Sequence, residues 1–264
     1  MDIKNKEKYE EFKTKVENFV ESCNEHEHYQ HLTPRPEHFN EWKENRGVMQ
    51  EYGTWIISKS NCPSLKLDIE FPYEKVLEEC NAQYHQFVKH RGPQHPGWSS
   101  MCIHGQGVQY TDPPKEYPDV DAEFHWTELS EQCPETTKWF KTQWPFTDYD
   151  RVRFMLIEPG GFIQPHADYD ERRMAAFNIA VSNPPGVDFA MEEAGCIPWE
   201  PGDVRAIDIG RKHAVVNNGT EDRIHMIVHG KFNQNFKELL CRSCLLYTSP
   251  SPRDQRGCRM PSSA

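Results

Sequence analysis

The stretch QPHADYDERRMAAF, from Gln164 to Phe177, sets His166 and Asp168 one residue apart. In extended chain, residues i and i+2 project to the same side, so an imidazole and a carboxylate placed this way can converge on one metal ion. A third donor must then come from a distant segment. His213 opens the later stretch HAVVNN after a Gly-Arg-Lys turn, and Arg223 opens RIHMIVHGKF beyond it. Two histidines and one carboxylate on one face, with the opposite positions open, is the ligand set of non-haem Fe(II) oxygenases. Arg223 adds a guanidinium able to pair bidentately with a carboxylate.

Taken singly, these residues are ordinary. A histidine beside an aspartate is common on polar loops, and a lone arginine is usually a surface charge. The set points to a metal site: His166, Asp168 and His213 as ligands, with Arg223 as an anchor for an anion. His225 and His229 share a strand face with Arg223 and are not needed as ligands. His90, His95 and His104 surround a tryptophan-containing segment, where lining a substrate and plain packing both stay open. The same holds for Trp98, Tyr110 and Trp126.

Strands must carry this set, and the second half of the chain supplies them. RVRFMLIE (151–158), MAAFNIAVS (174–182), GDVRAIDI (202–209), HAVVNN (213–218) and DRIHMIVHGKF (222–232) read as strands separated by PGG, NPPG, EPGD and NNG turns. SSMCIHGQGVQYT (99–111) is expected to be a further strand. Short strands at this spacing, without alternating helices or a glycine-rich phosphate loop, predict a mainly β fold closed or stacked on itself, with flanking helices. Helices are expected at 2–23, 72–90 and 134–144, the last opening with proline in its first turn. Between the first two, HEHYQHLTPRPEH is a histidine-rich patch read as a solvated loop.

The chain has 264 residues, 36% hydrophobic, with a formal net charge of −11. That is enough for one sizeable core, and the acidic balance is unlike the basic face of a nucleic-acid binder. No long apolar run suggests a membrane span or secretory leader, so neither a nucleic-acid nor a membrane partner is expected, and the expected compartment is the cytoplasm. Nine cysteines at irregular spacing fit free thiols better than a disulfide framework. The last stretch, CRSCLLYTSPSPRDQRGCRMPSSA, lacks periodicity and is rich in Ser, Pro and Arg. It reads as a disordered tail, and as adaptor-derived rather than native sequence. The expected organisation is therefore a helical and irregular region over 1–94, a catalytic barrel over 95–240 and the tail over 241–264.

VRFMLIEPGGFIQPHADYD together with WEPGDVRAIDIGRKHAVVNNGTEDRIHMIVHGK resembles the aspartyl/asparaginyl β-hydroxylase family of 2-oxoglutarate-dependent dioxygenases, which includes free-proline hydroxylases. The resemblance implies a double-stranded β-helix (a jelly roll, cupin-like) and hydroxylation of an amino acid or peptidyl side chain with Fe(II) and 2-oxoglutarate. It implies His166 and His213 as the histidine ligands, Asp168 as the carboxylate of the proline-hydroxylase branch, and Arg223 as the partner of the distal carboxylate of 2-oxoglutarate. Met155 stands where the vertebrate aspartyl/asparaginyl branch has a serine that helps hold this co-substrate. Asn178 is placed to meet its other carboxylate. For Arg172 and Arg173 two readings stay open, a solvated pair of charges, the commoner outcome, and a partner for a carboxylate on a small-molecule or peptide substrate. Two further readings stay open: a non-catalytic cupin-like barrel that binds a metal or small acid, and an interaction protein with a decayed site.

Overall fold

In the computed structural model, the described residues are 3–24, 63–110, 123–168, 176–233, 235–236, 238–240 and 242–243. The strand Phe146–Ile157 (β5) shows how the sequence builds the fold. Val152, Phe154 and Leu156 point into one apolar cluster, while Arg151, Arg153 and Met155, with the opposite parity, line a cavity. The strand Arg223–Phe232 (β12) pairs with it antiparallel, Arg223 opposite Ile157 and His225 opposite Met155. It repeats the pattern: Ile224, Met226 and Val228 go to the cluster, Arg223, His225, Ile227 and His229 to the cavity. Both faces are covered, so the period of two is one of apolar against polar lining rather than apolar against solvent.

Around this pair grows an eight-stranded sheet in the order β1-β10-β7-β12-β5-β3-β2, with β4 also on β3. Its other members are β1 (Ser64–Lys66), β2 (Val88–Lys89), β3 (Trp98–Gly105), β4 (His125–Trp126), β7 (Ala176–Ser182) and β10 (Val204–Ile207). A four-stranded sheet, β6-β11-β8-β9, consists of β6 (Phe162–His166), β8 (Val187–Met191), β9 (Gly195–Cys196) and β11 (His213–Asn217). All the pairings are antiparallel. The sheets face each other through one cluster that joins Ile157, Ala180 and Ile207 of the large sheet to Ile163, Phe189, Met191 and Val215 of the small one. This is the double-stranded β-helix expected from the sequence.

Helices close the outer faces. Helix α1 (Ile3–Asn24) lays Val16 and Val20 on Phe162, Ala214 and Val216 of the small sheet. The Tyr9 hydroxyl donates to the Gly160 carbonyl at 2.8 Å, fixing the turn that leads into β6. Helices α2 (Tyr73–Ala82) and α4 (Pro134–Thr142) cover the large sheet through Val76, Cys80, Trp139 and Phe140, with α3 (Leu129–Gln132) alongside. The helix expected over 72–90 is shorter: it ends at Ala82, a single 3₁₀ turn follows, and Val88–Lys89 becomes an edge strand.

Strands β1 and β2 precede residue 95 yet belong to the large sheet. Arg242 and Ser243, at the start of the expected tail, contact Asp68: Arg242 Nε is 2.8 Å from its carboxylate, and the Ser243 hydroxyl accepts its backbone N–H at 2.9 Å. The rest of that tail, the histidine-rich patch, and Arg172 and Arg173 lie outside the described residues. Cys23, Cys80, Cys102, Cys133 and Cys196 are free thiols, four of them buried. No helix among the described residues is long and apolar enough to cross a membrane.

Candidate active site

The turn from β5 to β6 passes through Gly160 at φ 76°, a conformation glycine adopts without the strain of a Cβ. It delivers β6 so that His166 sits directly opposite His213 in the β6–β11 register. Their ring centroids are 4.4 Å apart. Asp168 follows on the next turn of chain, held by its backbone N–H donating to the Ile209 carbonyl at 2.9 Å. The donor atoms of His166, Asp168 and His213 all lie within 4.8 Å of one another, with Asp168 Oδ1 3.9 Å from His166 Nε2. Two imidazoles and one carboxylate converging in this way form a donor set that would suit Fe(II).

Each histidine is oriented by a carbonyl two residues before it. His166 Nδ1 is 2.7 Å from the Gln164 oxygen, and His213 Nδ1 is 2.9 Å from the Arg211 oxygen. A carbonyl only accepts, so both Nδ1 atoms carry the proton and both Nε2 lone pairs are left for a metal. His213 is 6% exposed. Burial first, and the neighbouring His166 second, lower its pKa to about 4, so it is the neutral imidazole a ligand must be.

At the other end of the same space Arg223 is 3% exposed. Burial lowers its pKa to about 9, which still leaves it charged at neutral pH. Its Nε has no hydrogen-bond partner, and among the described residues no carboxylate pairs with it. Its Nη2 lies 2.8 Å from His225 Nδ1, which is also 2.8 Å from Asn178 Oδ1. The Phe189 ring connects the two ends. It stacks on His213 at 5.7 Å and 12°, and the Arg223 guanidinium lies 5.8 Å from its centre. A buried cation without a counter-charge is costly, so an anion entering the cavity would complement it.

These groups share a cavity of about 540 Å³ that also takes in His90, His95, Trp98, Arg151, Arg153 and His229. The structure thus brings together His166, Asp168, His213, Arg223 and Asn178, with Asn178 next to His225 at the Arg223 end. Met155 lines the same wall without a hydroxyl, and the strand opposite offers the imidazole of His225. His90 and His95 reach the cavity. His104 does not: it packs on Trp126 and Tyr149, and Tyr110 is 59% exposed. Sequence reasoning passed over Arg151, Arg153 and Phe189. The available signal for the arginines was their spacing of two within an otherwise apolar strand.

A family model for aspartyl/asparaginyl β-hydroxylase matches residues 67–231, more than half of the chain. The chain belongs to the aspartyl/asparaginyl β-hydroxylase family. It is therefore a hydroxylase, and the hydroxylases of this family use Fe(II) and 2-oxoglutarate. The convergent donors of this family member and the uncompensated Arg223 fit such a pair of groups.

Solved structures with similar folds include a Pseudomonas putida prolyl-4-hydroxylase, at 15% identity and a TM-score of 0.42, with 70% of this chain and 100% of that chain covered. A 2OG-Fe(II) oxygenase-family oxidoreductase from Burkholderia pseudomallei gives 14% identity and a TM-score of 0.41, covering 70% of this chain and 90% of that one. A Trichoplax adhaerens prolyl hydroxylase, solved with a hypoxia inducible factor peptide fragment, gives 12% and 0.43, covering 72% and 93%. The comparison with curated proteins returned no match.

Proposed function

We propose that this family member hydroxylates an amino acid or peptidyl side chain, with His166, Asp168 and His213 holding Fe(II) and Arg223 pairing with the distal carboxylate of 2-oxoglutarate. The observation that carries this reading is the placement of Arg223. It is a buried guanidinium without a carboxylate partner among the described residues, in the same cavity as three convergent metal donors. When bound, Fe(II) and 2-oxoglutarate would activate dioxygen, the oxidant of the reaction: one of its oxygen atoms would enter the substrate C–H bond and the other the succinate that forms with CO2 from 2-oxoglutarate. The protein's part is positioning and shielding. The carbonyls of Gln164 and Arg211 set the imidazole tautomers, Phe189 walls the passage between ligand and anchor, and the buried strands keep the Arg223 end dry.

The substrate is proposed to carry a carboxylate. Arg91, Arg151, Arg153 and Arg223 line the cavity, and Asp168 is the one acidic side chain among its described lining residues. Four guanidinium groups against one carboxylate give the described lining a cationic balance, which suits an anionic substrate. Incubating the full-length protein with Fe(II), ascorbate, 2-oxoglutarate and free amino acids or their amides tests this. A product one oxygen atom heavier, formed from the acids and not from the C-terminal amides, is expected. Equal turnover of acid and amide contradicts the carboxylate requirement, and Fe(II) binding without any oxygenated product favours a non-catalytic binder.

A further inference from the structure

Resting on the reading of His166 as a metal ligand, we infer that His95 is a positioning residue for it, acting through the backbone of Gln164. Strand β6 is an outer strand of the small sheet, and β11 is its one strand partner among the described residues. Residues 94–97, just before β3, lie along its other edge. The Pro96 carbonyl accepts the Phe162 N–H at 3.1 Å. Two residues on, the Gln164 N–H goes to His95 Nδ1 at 3.2 Å, and the Gln164 side-chain amide donates to the Gln94 carbonyl at 2.9 Å. An imidazole nitrogen thus takes the place of a strand carbonyl beside the metal-binding end of β6.

Gln164 is the residue whose carbonyl orients His166, accepting its Nδ1–H at 2.7 Å. Turning Gln164 about its backbone would withdraw that acceptor and free the ring to flip, offering the metal the protonated nitrogen. His95 opposes that turn. Trp98 meets its ring edge-on at 5.5 Å and 70°, and a donor at Nδ1 puts the proton of the neutral imidazole on Nε2. His213 has no such clamp and does not need one. Strand β11 is paired on both sides, by β6 and β8, and His213 is buried. The His166 side chain, on the outer strand, is 34% exposed. The ligand with the weaker hold is the one that the 94–97 segment secures.

The test is competition of full-length, metal-free protein against a fluorescent chelator for Zn(II), with urea midpoints measured beside it. His95→Phe keeps a ring against Trp98 and removes the acceptor. His95→Asn loses the ring and keeps an acceptor, its Oδ1 standing where Nδ1 stood. His95→Phe is expected to lower Zn(II) affinity by about tenfold or more, the weight of a partner behind a ligand, and His95→Asn to recover most of it. Wild-type affinity in His95→Phe overturns the inference. So does a loss in His95→Asn as large as that in His95→Phe, or a loss that follows the urea midpoints across the variants, because either marks packing. A second measurement needs no variant: ¹⁵N-labelled histidine in the metal-free wild type at neutral pH should show His95 protonated on Nε2 and His166 on Nδ1. His95 protonated on Nδ1 contradicts the inference, since that nitrogen then has no lone pair for the Gln164 N–H. His166→Ala separates this failure from the other: unchanged Zn(II) affinity there overturns the ligand reading itself, and this inference with it.

Discussion

His166 and His213 are oriented by the same device: each gives its Nδ1–H to the carbonyl two residues before it, and their rings lie 4.4 Å apart across the β6–β11 pair. Both Nε2 lone pairs are thereby committed to the space that Asp168 borders. Asp168 differs from them, with a side chain 54% exposed and a backbone anchored to Ile209. Its carboxylate has little packing role, so Asp168→Ala should leave the folded state intact while removing one of three metal donors. Metal affinity should fall by about 100-fold or more, since even outer partners of a ligand are worth 10–100-fold, and turnover should vanish. Competition against a fluorescent chelator measures it. Unchanged affinity would remove Asp168 from the site.

Arg223→Met keeps the volume and removes the charge. The apparent requirement for 2-oxoglutarate should rise by about 100-fold, the combined weight of two charge-assisted hydrogen bonds in a buried setting. Metal binding should hardly change, because the guanidinium lies at the far end of the cavity. Initial rates against co-substrate concentration, with direct metal titration beside them, separate the two. Normal co-substrate affinity in this variant would refute the role of Arg223.

Phe189 touches both halves of the site and is 5% exposed. Phe189→Ala should destabilise the protein by about 3 kcal/mol or more, as truncation of a buried aromatic ring does. It should also lower metal affinity, since His213 loses the surface it stacks on. Urea unfolding of the metal-free protein reads the first effect and chelator competition the second. Loss of stability with no change in metal affinity would reduce Phe189 to a packing residue.

Stability of the metal-free protein should depend on pH through its buried histidines. Burial lowers His90 to about 2 and His213 to about 4, and holds His225 well below its ordinary value. In the unfolded chain each takes up a proton near pH 6.5, while in the folded protein each stays neutral to far lower pH. The unfolded state therefore binds more protons in this window. Stability is fully present above about pH 6.5 and falls as the pH drops, by about 1.4 kcal/mol per pH unit for each such histidine. Urea midpoints between about pH 7 and pH 5 check the slope, and a flat profile would contradict neutral burial of this group.

The legible parts of the fold were those in which apolar and β-branched residues dominate a stretch bounded by turn formers. RVRFMLIE, MAAFNIAVS and DRIHMIVHGKF stand out for this reason, and the structure places β5, β7 and β12 within one residue or a few of them. Strand β6 was harder to see, because FIQPH contains a proline and ends at the metal ligand rather than at a turn former. Strand β8, VDFAM, hid behind a charged Asp188. The metal donors were legible because metal chemistry restricts both residue type and placement. Arg151, Arg153 and Phe189 were not, since an arginine in a strand ordinarily points to solvent and a phenylalanine ordinarily fills a core. Only the pairing of two sheets shows that the solvent-like face of β5 is a cavity wall.

The most direct measurement of the central claim is succinate released from 2-oxoglutarate by the full-length protein under air with Fe(II) and ascorbate, compared with Asp168→Ala and Arg223→Met. The account predicts iron-dependent succinate from the wild type, none from Asp168→Ala, and activity recovered in Arg223→Met only at greatly raised 2-oxoglutarate. Wild-type rates in both variants, or no succinate from a wild type that binds both iron and 2-oxoglutarate at this cavity, would contradict it.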